Sequence, residues 1–173
     1  MKSLKKYSIP FTGLKLGKHL FEYDIQDDFF DGFEYSLVKK ATLHCEIELD
    51  KQETMLILNF KIDGTVETTC DRCLKALPIQ LDITEQQIAK FSDEEIDEDE
   101  EIITLGKNDH EIDVAGLIYE YINVAVPFIS ICGEGNTSTC DQEMLDKLKS
   151  LSANGEQSEQ TDPRWDALRN MNK

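Results

Sequence analysis

Basic side chains are scarce in this chain of 173 residues. Lysine and arginine number 18 against 35 aspartates and glutamates, a formal net charge of −17. A field of that sign repels phosphates, so strong unaided binding to nucleic acid is not expected, and basic proteins are the complementary partners. Long apolar runs are missing as well. Nothing approaches the ~18 apolar residues of a membrane-spanning helix. The opening MKSLKKYSIPFTGLKLG has lysines but no apolar secretory core. The expectation is a cytoplasmic protein without membrane association. Enzyme signatures are also lacking: the chain has no phosphate-binding glycine loop, no G-x-S-x-G and no H-E-x-x-H. A non-enzymatic protein is expected. Finally, five cysteines are few and odd in number. In a reducing compartment that count argues against a disulfide framework and turns attention to metal or redox chemistry.

What is present is a good alternating pattern. Hydrophobic residues make up 40% of the chain, enough for a core. Leu43, Cys45, Ile47 and Leu49 alternate with polar neighbours, as do Leu56, Leu58, Phe60 and Ile62, and later Leu77, Ile79, Leu81 and Ile83. A period of two with one polar face predicts antiparallel strands. Weaker strands are expected near Tyr7 to Phe11 and His19 to Ile25, with Phe29, Phe30 and Phe33 anchoring this arm. Asp63-Gly64 carries a tight-turn signal that divides the second run from Val66, Thr68 and Cys70. Asp113 is a plausible cap for a helix with Val114, Leu117, Ile118, Tyr121, Ile122 and Ala125 on one face, ended by Pro127. Asp141 caps a second helix whose stripe is Met144, Leu145, Leu148 and Leu151.

These elements predict an α+β fold: an antiparallel β-meander, or partly closed sheet, with a Cys-x-x-Cys knuckle, packed against two C-terminal helices. One domain is expected over 1–151. It includes an N-terminal arm and an acidic loop at 92–101, where eight acidic residues fall between Asp93 and Glu101. A linker follows over 152–161, and a short helix over 162–173 with Asp162 and Pro163 at its start.

The sharpest feature is VETTCDRCLKALPIQL, with Cys70 and Cys73 two residues apart. Three readings compete. A thioredoxin-like pair belongs at a helix N-terminus, whereas a strand follows here. A zinc knuckle at a hairpin tip suits the flanking strands, but a structural site wants four ligands. Cys132 and Cys140 can supply the other two, giving C-x2-C…C-x7-C with 58 residues between the pairs. The start of the second helix, just after Cys140, would favour its thiolate. The third reading is plain structural thiols, which the core-facing phase of Cys45 favours for that residue. His19, His44 and His110 lack ligand spacing to the cysteines.

LHCEIELDKQETMLILNFKIDGTVETTCDRCLKALP resembles the core of the YceD-like family, the large ribosomal RNA subunit accumulation proteins. The resemblance covers roughly residues 40 to 171. It comprises the hairpin, the knuckle Cys70-x-Arg72-Cys73, the acidic stretch, the helix DVAGLIYEYINVAVP, the pair Cys132 and Cys140, and a closing segment with Asp162, Pro163 and Leu168. It implies a role in large-subunit rRNA accumulation, hence in ribosome assembly, and supplies no active site. Combined with the charge, it points to a factor working through protein contacts with a ribosomal protein or a large-subunit assembly intermediate. A structural zinc on Cys70, Cys73, Cys132 and Cys140 is expected, with Arg72 and Trp165 as candidate partner-binding residues. The alternative is a thiol-based redox or metal-relay protein using Cys70 and Cys73.

Overall fold

The computed structural model describes residues 4–92, 102–133 and 139–152. The chain divides into two compact units, 1–140 and 141–173. In the first, a 3-10 turn at Leu4–Tyr7 leads into β1 (Ser8–Pro10), β2 (Gly17–Gln26) and the single turn α1 (Asp27–Phe30). Then come β3 (Lys40–Lys51), β4 (Met55–Thr69), β5 (Ala76–Phe91), β6 (Ile102–Leu105), β7 (Glu111–Asp113) and helix α2 (Ala115–Ala125). The second unit contains α3 (Gln142–Leu151).

Strands β2 to β5 form an antiparallel meander, and β6 pairs in parallel with the end of β5, giving the order β2-β3-β4-β5-β6. The alternating residues behave as their period requires. Leu43, Cys45, Ile47 and Leu49 of β3, Leu56, Leu58, Phe60 and Ile62 of β4, and Leu77, Leu81 and Ile83 of β5 are buried. Their polar neighbours lie on the opposite face.

The sheet is open, which corrects the expectation of partial closure. Strand β1 pairs with β7 in a separate two-stranded sheet. The short β6 occupies one edge instead, so β2 and β6 never meet. The Asp63-Gly64 turn is a second correction, because β4 runs straight through it. Gly64 lies between Leu43 and Leu81 in the ladder with φ +138°, and a Cβ there would stand 2.3 Å from the Thr42 carbonyl oxygen. Glycine is used at this point because two backbones approach closely, not because the chain reverses.

Phe29 and Phe30 are buried as anchors, and Phe33 stacks on Tyr119 of α2 with ring centroids 3.9 Å apart. Helix α2 covers the sheet with Ile118 and Ile122, while Val114 is buried just before its first turn. Tyr121 meets the edge of Phe60 and donates its hydroxyl to Gln87 Oε1 at 3.2 Å. Asp113 acts one position earlier than a regular cap, its carboxylate accepting from the Ala115 N–H at 2.9 Å. The helix stops at Ala125, as Pro127 requires. Helix α3 is capped by Asp141, which accepts from the Glu143 and Met144 N–H groups, and it has no buried residue. The acidic run 93–101, the linker and the final segment with Asp162, Pro163, Trp165 and Leu168 lie outside the described residues.

Candidate metal centre

Strands β4 and β5 are joined by the knuckle itself. The Cys70 N–H donates to the Lys75 carbonyl at 2.9 Å and the Leu74 N–H to the Cys70 carbonyl at 2.8 Å, closing a tight reversal. Leu74 completes it at φ +59°, in the left-handed region that side chains resist. Both cysteines are thereby turned to one side, and both are buried although the tip between them is exposed.

The second pair is delivered by the segment after α2. The Asp71 N–H donates to the Ser130 carbonyl at 2.8 Å, and the Ser130 N–H returns a bond to the Asp71 carboxylate at 2.6 Å. This clamp seats residues 130–132 on the hairpin tip. Two residues on, the Cys132 N–H points at Cys70 Sγ, 3.5 Å away. Cys70 Sγ lies 3.9 Å from Cys140 Sγ, and Cys73 Sγ lies 3.9 Å from Cys132 Sγ. All four sulfurs fall within 4.8 Å of one another, and all are free thiols.

A tetrahedral ion with metal–sulfur bonds of ~2.3 Å has sulfur–sulfur edges of about 3.8 Å. The two 3.9 Å edges already match this, and the longest separation, no more than 4.8 Å, would have to close by up to about 1 Å around such an ion. The electrostatics point the same way. Burial opposes ionisation of Cys70, but backbone N–H groups of Cys132, Cys73 and Arg72 outweigh it and bring that thiol down to about 6. Cys132 is pushed up to about 12 by burial and by the other sulfurs, and Cys140 is raised for the same reasons. The expected lowering of Cys140 by the following helix is not seen, because burial and sulfur crowding dominate. One thiolate is stabilised by fixed amides while burial and the neighbouring sulfurs oppose further charge, and a divalent thiophilic ion would offset that opposition.

Both cysteine pairs therefore meet, as the four-ligand reading expected. Cys45 stands apart, fully buried in the β3 core with its thiol raised to about 12 by burial. No histidine joins the group. His19 bonds the Lys15 carbonyl and His44 bonds Asp24, each in its own strand region. Arg72 is exposed at the tip and makes no ion pair among the described residues. The clamp residues Asp71 and Ser130 were not legible as a pair. The only trace is an aspartate between the two cysteines, a residue type that readily accepts backbone N–H bonds.

These features define an α+β protein with a four-cysteine site, assembled from a hairpin tip and a distant loop, able to hold a metal ion. Residues 58–172 match the family model described as large ribosomal RNA subunit accumulation protein YceD. The match spans both cysteine pairs, and the chain belongs to that family. No curated protein and no solved structure matches it. Among the described residues no helix is long and apolar enough to cross a membrane.

Proposed function

We propose that this chain is a non-enzymatic cytoplasmic factor for large-subunit rRNA accumulation, acting in ribosome assembly through protein contacts and built around one structural zinc. The observation that carries the reading is the four-sulfur cluster inside a chain of this family. Four cysteines fill a tetrahedral shell, leaving no open position for substrate, which favours a structural ion over a catalytic one. When bound, zinc cross-links the hairpin tip to the segment ending at Cys140. Asp71 and Ser130 hold the two loops in register for it, and the N–H groups around Cys70 keep that sulfur deprotonated. Burial of Cys70 and Cys73 disfavours the redox or metal-relay alternative, since a thiol-exchange nucleophile must be reached by its target. The net charge of −17 supports a basic ribosomal protein, free or within a precursor particle, as the partner.

Two measurements test the reading. Native mass spectrometry is expected to find one zinc per chain, absent from Cys70→Ser and from Cys140→Ser. Cells depleted of the protein are expected to show less large-subunit rRNA relative to small-subunit rRNA, with co-sedimentation of the chain and large-subunit precursors at low salt. A metal-free wild type removes the structural-zinc part. Unchanged rRNA ratios together with a chain that stays at the top of the gradient remove the assembly part.

A further inference from the structure

Strand β5 is far longer than the strand that flanks it. It pairs with β4 over its whole length, from Ala76 to Lys90, but with β6 only from Ile88 to Phe91. Its outer edge before Ile88 has no strand beside it among the described residues. The ladder phase shows which groups are left over. Cys70 donates to Lys75 and Phe91 donates to Thr54, so odd-numbered residues of β5 bond β4. The N–H groups of Gln80, Asp82, Thr84 and Gln86 consequently point outward, and none of them has a partner within the described chain. Pro78 sits in the same outward phase, where a missing N–H interrupts nothing.

Natural sheets cover, shorten or charge such edges, because an open row of donors and acceptors is a template for another strand. Here the row runs unbroken between the knuckle at one end and β6 at the other. Its flanks define what fits. On the solvent face Asp82 lies directly opposite Asp63 of β4, a like-charge pair with Lys61 two residues along β4 on the same face, and a further cation would favour it. On the core face Leu81 and Ile83 are 7% and 6% exposed.

We propose that the β5 edge from Pro78 to Gln86 accepts an extended segment of a partner protein with alternating apolar and basic side chains. Its backbone continues the line begun by β6, its basic side chains meet Asp82 and Asp63, and its apolar ones extend the layer of Leu81 and Ile83. A second copy of the chain is disfavoured as occupant, since each copy carries −17 and would set acidic faces side by side. The proposal rests on the reading of a basic protein partner and names where that partner docks.

The test uses the full chain and an eight-residue peptide alternating valine and lysine, followed by amide hydrogen exchange. The expected result is at least tenfold slower exchange at Gln80, Asp82, Thr84 and Gln86 on adding peptide. Thr84→Pro removes one outward N–H and no β4 bond, so it should keep its melting temperature within a few degrees and lose peptide binding. Glu22→Pro, in the outward phase of the opposite edge strand β2, should keep binding. Slowed exchange at β2 instead, slowing without peptide that grows with protein concentration, or binding untouched by Thr84→Pro overturns the proposal. Should Thr84→Pro unfold, Thr84→N-methylthreonine by semisynthesis gives the same reading. Sedimentation separates this inference from its parent. If wild type and Thr84→Pro both travel with large-subunit precursors, the assembly reading stands and the edge proposal falls.

Discussion

Asp71 and Ser130 hold each other by two backbone-anchored hydrogen bonds, 2.8 Å and 2.6 Å long, across 59 residues of sequence. One bond runs backbone to backbone and the other backbone to carboxylate. Together they fix where the loop before Cys132 meets the knuckle. Neither residue offers a sulfur, yet their contact seats the loop whose Cys132 N–H points at Cys70 Sγ.

Loss of that carboxylate should loosen the site without touching a ligand. Outer supports of metal ligands are commonly worth 10- to 100-fold in affinity. Asp71→Ala is therefore expected to give up its metal to a chelator 10–100 times more readily than wild type. Asp71→Asn, which keeps an acceptor oxygen, should lie between them. Competition against a colorimetric chelator measures both.

Chelation itself should change thiol reactivity in a counted way. With metal bound, all five cysteines resist alkylation: four as ligands, and Cys45 by burial. After chelation four should react and Cys45 should not, until denaturant is added. Mass spectrometry of the alkylated chain reads the number directly.

Gly64→Ala should be severely destabilising. The new Cβ would meet the Thr42 carbonyl oxygen and the Leu43 Cα at 2.3 and 2.9 Å, both backbone atoms that cannot step aside. A loss of about 3 kcal/mol or more is expected, in the range of core strain rather than of simple propensity. Urea denaturation at neutral pH decides it.

Leu74→Gly should act in the opposite direction. The left-handed conformation costs a side chain ~1–2 kcal/mol, and glycine gives back ~0.4–1 kcal/mol through the freer unfolded chain. A net gain of about 0.5–1 kcal/mol is expected for this exposed position, read as a rise in melting temperature.

Alkaline pH should weaken the core through Cys45. Its thiol is raised from 9.0 to about 12 by burial, so the folded protein binds a proton that the unfolded chain releases earlier. The neutral thiol's contribution is intact below pH 9 and falls as pH climbs from there toward 12, by at most about 1.4 kcal/mol per pH unit. Cys45→Val should flatten this decline between pH 9 and 10. Melts of the two proteins at pH 7, 9 and 10 compare them.

The sequence displayed some of this plainly and hid the rest for identifiable reasons. Leu43 to Leu49 and Leu56 to Ile62 announced β3 and β4, because a sheet with one covered face must alternate. Cys70, Cys73, Cys132 and Cys140 could be grouped because a structural site wants four ligands and Cys45 was in core phase. Asp63-Gly64 misled because a local turn signal says nothing about the neighbouring strand that passes within contact distance. Strands β6 and β7 escaped notice, being four and three residues long with no sustained alternation. Sheet order was equally invisible: nothing local in Ile9 says that it will face Ile112 rather than the main sheet.

The 58 residues between Cys73 and Cys132 have a consequence for when the site can fill. An unfolded chain offers two sulfurs at the knuckle and must close a long loop to find the other two, a cost in chain entropy that the folded sheet and α2 have already met. A complete ligand shell therefore exists only in a chain whose folding has brought those distant loops together, and an ion held by all four sulfurs would mark that chain as finished.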